Sequence, residues 1–140
     1  MKLAAAIQFS FPGSPLVYYG DEAYMEGFED PFNRRGYPWG KENRQMLNWY
    51  RKLGNARRNS EALRYGDINY LYVKEGLLVY ERVSEHETVT VAINRAMERM
   101  TCEVPWDRPL ATDLMSGATL RSGGGVLRLE LEPLTAMFLS

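Results

Sequence analysis

The feature that most constrains this chain is a change of hydrophobic period near Tyr65-Gly66-Asp67. Before it, apolar residues recur at helical spacing, as in Met46, Trp49, Tyr50 and Leu53, which form an apolar stripe expected to face the core. After it, apolar and polar residues alternate, most clearly in Leu127, Leu129 and Leu131 against Arg128, Glu130 and Glu132. A helical stripe and a two-residue alternation cannot share one element, so the chain divides there. Residues 66–140 read as an antiparallel β-sandwich and residues 1–65 as a short α/β stretch, a mainly β chain as a whole.

Strands are expected over Asn69–Lys74, Leu77–Val83, Thr88–Asn94, Met100–Val104, Ala111–Leu114, Val126–Glu132 and Thr135–Leu139, with turns at Glu75-Gly76 and Gly123-Gly124-Gly125. Val89, Val91 and Ile93 alternate with Thr88, Thr90 and Ala92, the pattern of a half-buried strand. In the first segment, Lys2–Phe9 reads as a helix end and Pro12-Gly13-Ser14-Pro15 as a break. Leu16-Val17-Tyr18-Tyr19 reads as a short strand buried on both faces, with both tyrosines in the core. Gly20 to Gly40, rich in glycine, proline and aromatics, reads as an ordered irregular loop, and Lys41–Arg58 as a helix.

Charge and thiol content narrow the function classes. With 17 basic and 18 acidic side chains the net charge is -1, so no overall field draws the chain to nucleic acid or a membrane surface. No stretch approaches the roughly 20 apolar residues of a membrane span. Met1-Lys2 before Leu3-Ala4-Ala5-Ala6-Ile7 lacks a cleavage pattern, so no signal peptide is read and a cytoplasmic placement is expected. One cysteine, Cys102, and one histidine, His86, leave no disulfide framework and no thiolate metal site; Cys102 is expected to be a buried strand residue and His86 a solvated turn residue. No metal and no cofactor is expected.

The run Pro12-Gly13-Ser14-Pro15-Leu16-Val17-Tyr18-Tyr19-Gly20-Asp21-Glu22 resembles the last barrel strand and following loop of the alpha-amylase family of glycoside hydrolases. In the neopullulanase, maltogenic-amylase and cyclomaltodextrinase branch, that strand is followed by Asp-Pro, two variable residues, Arg-Arg and a Trp. Asp30-Pro31-Phe32-Asn33-Arg34-Arg35 and Trp39 match it here. Ser60-Glu61-Ala62-Leu63-Arg64-Tyr65-Gly66-Asp67 resembles the family's approach to its C-terminal sandwich. Phe32 and Asn33 depart from the residues common in that branch, and Gly36-Tyr37 lengthens the approach to Trp39.

The resemblance implies that residues 1–65 are the last helix, strand, substrate loop and helix of a (β/α)8 barrel, and that residues 66–140 are the C-terminal β-sandwich domain. It implies that Asp30 and Arg34 contact glucose hydroxyls of an α-glucan oligosaccharide in the complete enzyme. A carboxylate accepts from adjacent hydroxyls and a guanidinium donates to them in a fixed fork. The bland alternative is that Asp30 and Arg34 only pair with each other. Arg35 joins them as a candidate, and Trp39 could stack on a sugar ring or anchor the loop on the helix.

Retaining glycoside hydrolysis needs two carboxyl groups about 5 Å apart on a rigid scaffold. The family's Gly-x-Arg-x-Asp and Asn-His-Asp segments are not found, so no residue here is expected to be catalytic and the chain alone is expected to be inactive. Adjacent Asp21 and Glu22 would point to opposite faces of a strand; the resemblance gives them a loop-holding role. Two other readings are a glycan-binding module using loop or sandwich aromatics such as Trp106, and an assembly domain. Apolar surface over residues 1–28 leads us to expect a homo-oligomer of the chain.

Overall fold

The computed structural model describes residues 1–140. Three helices, α1 (Lys2–Ser10), α2 (Arg44–Asn59) and α3 (Glu61–Tyr65), precede eight strands. These are β1 (Asp67–Lys74), β2 (Leu77–Val83), β3 (Thr88–Asn94), β4 (Met100–Pro105), β5 (Leu110–Thr112), β6 (Thr119–Arg121), β7 (Val126–Leu131) and β8 (Thr135–Leu139). The main sheet runs β1-β2-β3-β8, all antiparallel; β4 pairs with β7 and β5 with β6. Helix therefore gives way to strand at Gly66, where the period changes.

Strand alternation sorts each face of the main sheet. Tyr80, Val89, Val91, Ile93 and Phe138 join Ala5, Ala6 and Phe9 of α1, Leu53 of α2, and Ala62 and Leu63 of α3 in one cluster. On the opposite face, Leu77, Val79, Ala92 and Leu139 pack against Cys102, Val104, Leu127, Leu129 and Leu131 of the β4–β7 pair. The result is three layers: helices, main sheet, second sheet. Each fully buried leucine, such as Leu53 or Leu127, contributes about 1.5–3 kcal/mol by leaving water.

Two layers on the main sheet explain why β3 departs from expectation. Every residue from Val89 to Asn94 is buried, because its valine face meets the helices and its Thr90–Ala92–Asn94 face meets the second sheet. The α2 stripe faces inward as expected: Leu53 is in the core, and half-buried Trp49 and Tyr50 lie against it. The helix begins at Arg44 rather than Lys41, because the Asn43 side chain accepts from Met46 N–H at 3.0 Å and fixes the N-cap. Ser60 does the same for α3, a helix that the sequence pattern did not reveal, by accepting from Leu63 N–H at 3.1 Å.

Two buried arginines join the layers. Arg82 of β2 donates to the Ser10, Leu63 and Gly66 carbonyls, at the C-terminal ends of α1 and α3. Arg57 of α2 donates to the Phe9, Phe11 and Gly13 carbonyls. The Phe9, Ser10 and Leu63 carbonyls lie in last helical turns and have no partner inside their helices, and those of Phe11, Gly13 and Gly66 follow the helix ends, so each guanidinium satisfies backbone acceptors beside a negative helix end. Beside them Tyr80, hydrogen-bonded to Ser10 Oγ, has its phenol pushed up to about 12 by burial.

Leu16–Tyr19 is not a strand. A strand buried on both faces needs neighbours for its backbone ladder, and none of the eight strands pairs with it. Its side chains are correspondingly exposed, Leu16 by 75%, Tyr18 by 59% and Tyr19 by 42%, so neither tyrosine is core in this chain. Trp106 is also not a surface platform: it is 6% exposed, its indole N–H donates to the Leu110 carbonyl, and Arg108 lies over its ring at 4.4 Å. Cys102 is buried in β4 and His86 lies exposed in the β2–β3 turn, as expected. No helix is long and apolar enough to cross a membrane.

Candidate functional site

The Gly20–Gly40 loop is held by backbone turns rather than a core. Gly20 adopts φ +90° and accepts from Ala23 and Met25 N–H, while a Cβ there would fall 2.4 Å from the Met25 sulfur, so only glycine fits. Asp21 accepts from Tyr18 N–H at 3.3 Å, a loop-holding contact, whereas Glu22 leaves one buried carboxylate oxygen without a partner. Partial burial and then Glu22 raise the Tyr37 phenol above its usual range. Asn43 N–H donates to Ala23 O at 3.2 Å, which fastens the loop to the start of α2.

Across the loop, Tyr19 Oη donates to the Asn33 and Arg35 carbonyls at 3.4 and 3.1 Å. Phe32 N–H donates to Glu29 O and Arg34 N–H to Pro31 O, two successive turns that bring Asp30 and Arg34 to the same side. There Arg34 Nε donates to Asp30 Oδ1 at 3.0 Å and Arg34 Nη2 to Asp30 Oδ2 at 2.9 Å, a fork-to-fork pair. Both side chains stay mostly in solvent, 72% and 57% exposed. Pairing consumes two of the guanidinium's five donors; the remaining N–H groups and the spare carboxylate lone pairs face outward.

Arg35 is exposed and its side chain has no hydrogen-bond or ion-pair partner. Trp39 is 82% exposed and does not anchor the loop on α2; its ring meets Tyr37 at 4.5 Å between centroids. Asp30, Arg34, Arg35 and Trp39 thus share one exposed loop that combines a carboxylate–guanidinium fork, a free cation and an open indole face. No group of three or more His, Cys, Asp or Glu side chains converges as metal donors.

Residues 68–137, the sandwich with its aromatic edge strand, match the family model described as Maltogenic Amylase, C-terminal domain. The chain belongs to that family. It is thereby a maltogenic-amylase-type C-terminal domain of the alpha-amylase family of glycoside hydrolases, with the helices and loop of residues 1–67 in front of it. Cyclomaltodextrinase of Geobacillus thermopakistaniensis is 32% identical over 139 residues, covering 95% of this chain and 24% of that protein. Neopullulanase 2 of Thermoactinomyces vulgaris is 30% identical over 145 residues, covering 99% of this chain and 25% of that protein. The alpha-amylase of Geobacillus thermoleovorans, solved in complex with acarbose, superposes with a TM-score of 0.91 at 30% identity, covering 99% of this chain and 32% of that one. This maltogenic-amylase-type chain spans about a quarter of the curated relatives it matches along its whole length.

Proposed function

We propose that this chain is the C-terminal part of an α-glucan glycoside hydrolase acting on maltooligosaccharides, cyclodextrins or pullulan, with Asp30, Arg34, Arg35 and Trp39 as its contribution to glucan binding. The observation that carries the reading is the exposed Asp30–Arg34 fork on a loop fixed at both ends. A pair made only for stability gains little at a surface, because solvent screens it and ordering two long side chains costs entropy. Preorganised and exposed, it can meet vicinal sugar hydroxyls with little further ordering. Relatives named cyclomaltodextrinase and neopullulanase support the substrate class.

In this reading residues 1–65 complete a (β/α)8 barrel and residues 66–140 brace it. The unpaired Leu16–Tyr19 segment supports that assignment, since a barrel would supply the neighbouring strands it lacks. The nucleophile and acid/base carboxyls come from other barrel strands, so the isolated chain has no turnover. Incubation of the purified chain with maltotriose or a cyclodextrin is expected to release no product. Hydrolysis abolished by Asp21→Asn or Glu22→Gln would overturn this assignment.

The exposure of Leu16, Tyr18 and Phe28 favours a second reading for the isolated chain, association with another copy through its N-terminal segment. Sedimentation is expected to give a dimer or larger species; a monodisperse monomer would contradict it.

A further inference from the structure

Tyr19 reaches from the end of the Leu16–Tyr19 segment across to the Asp30 loop. Its hydroxyl has one proton and meets two acceptors, the Arg35 carbonyl at 3.1 Å and the Asn33 carbonyl at 3.4 Å. Those carbonyls stand on either side of Arg34 in sequence, so one hydroxyl holds the backbone before and after the guanidinium that pairs with Asp30. Arg34 N–H is taken by Pro31 O at 3.1 Å. The Arg34 backbone is thereby fixed by its own turn on one side and by Tyr19 on the other.

The phenol is itself held from behind. Gln8 of α1 donates to the Leu16 carbonyl, and Tyr18 and Asp21 exchange bonds, Tyr18 N–H to Asp21 Oδ2 at 3.3 Å and Asp21 N–H to Tyr18 O at 3.1 Å. The Tyr18 ring lies against the Tyr19 ring at 5.0 Å between centroids. A second close approach acts on the same stretch of loop: Gly27 passes Asn33 so closely that a Cβ on it would lie 3.2 Å from Asn33 Cα. A surface loop left to itself is mobile, and ordering it on a ligand costs affinity. Here the pinned point is Arg34, and the pin comes from a segment tied to a helix rather than from the loop. Packing alone does not account for the hydroxyl, because Tyr19 is 42% exposed and a phenylalanine ring would keep the same contact with Tyr18.

We infer that Tyr19 is the positioning residue of this loop: its hydroxyl holds Arg34, and with it the Asp30–Arg34 fork, in the orientation that meets sugar hydroxyls. The sugar side of this inference rests on the proposed function; the anchoring rests on the two hydrogen bonds.

The anchoring is tested in this chain by NMR relaxation of backbone amides in the wild type and in Tyr19→Phe. Order parameters at Arg34 and Arg35 are expected to fall from about 0.85 to about 0.6 or below, with the melting temperature unchanged, while Tyr18→Phe, which removes the neighbouring hydroxyl, leaves them in place. Order parameters that do not move in Tyr19→Phe would overturn the inference, whatever the activity shows. The sugar side is read by putting this chain in place of the matching C-terminal segment of the Geobacillus thermopakistaniensis cyclomaltodextrinase. There Tyr19→Phe is expected to raise KM for a cyclodextrin about five-fold with kcat little changed, the effect of losing one hydrogen bond's worth of uniform binding. It is expected to have no further effect once Arg34 is replaced by alanine. A Tyr19→Phe loss that persists undiminished in the Arg34→Ala background would overturn the inference, since the hydroxyl would then act other than through Arg34. An Arg34→Ala loss beside an unchanged KM in Tyr19→Phe would overturn it too, and leave the loop reading intact. Loss of order in the chain together with full activity of the Arg34→Ala chimera would support the anchor and remove the glucan reading.

Discussion

Arg82 and Arg34 are the same side chain put to opposite uses. Arg82 is 1% exposed and donates to three carbonyls from two helix ends, holding helices and sheet together without any carboxylate partner. Arg34 is 72% exposed, bonds only Asp30, and leaves most of its donors to solvent. The comparison teaches how to separate residues that hold this fold from residues that face a ligand. Burial with bonds to backbone carbonyls marks the first, although Arg82 Nε itself is left without a partner, and preorganisation in solvent marks the second.

The largest expected effect comes from breaking the buried side. Arg82→Met would leave three buried carbonyls without donors, at about 1–3 kcal/mol each. Urea denaturation of the chain should show a loss of at least ~3 kcal/mol, and Arg82→Lys should recover only part of it, since an ammonium cannot span the same fork. A loss below about 1 kcal/mol would mean that water replaces the guanidinium at those carbonyls. Asn43→Ala sits between the two regimes, because it removes the side-chain cap of α2 and keeps the backbone bond from Asn43 N–H to Ala23 O. About 1 kcal/mol should be lost on the same measurement.

At the exposed side, Asp30→Ala or Arg34→Ala should change the stability of the chain by under ~0.5 kcal/mol, as solvent-exposed pairs do. A larger loss would move the pair into the structural class and weaken the ligand-facing reading. The smallest effect concerns Glu81. Its folded-state pKa lies above the unfolded value, so folding favours the protonated form; stability supplied in acid is lost as pH rises through the glutamate range. Glu81→Gln should therefore raise the melting temperature slightly at neutral pH and leave it unchanged near pH 3.

Much of this organisation was legible in the sequence because alternation and helical spacing are local signals. β2, β3 and β8 begin and end where the pattern places them, at Leu77–Val83, Thr88–Asn94 and Thr135–Leu139. The short pieces were not legible: α3 has five residues and β6 three, too few to display a period. Burial of both faces of β3 depends on the helices that cover it, which no strand pattern encodes. Leu16–Tyr19 reads as a strand by composition, yet a strand exists only with a partner. At the loop, residue types and their four-residue spacing anticipated the Asp30–Arg34 pair, whereas the full exposure of Trp39 follows from a turn geometry that spacing does not specify.

The most direct test of the central claim replaces the C-terminal quarter of the Geobacillus cyclomaltodextrinase with this chain and measures kcat/KM on a cyclodextrin. An active chimera is expected. Arg34→Ala in that chimera should lower kcat/KM about ten-fold or more, the loss of a charge-assisted hydrogen bond to substrate, without changing the melting temperature. A folded, active chimera whose kcat/KM is unchanged by Arg34→Ala and Asp30→Ala would contradict the assignment of this loop to glucan binding.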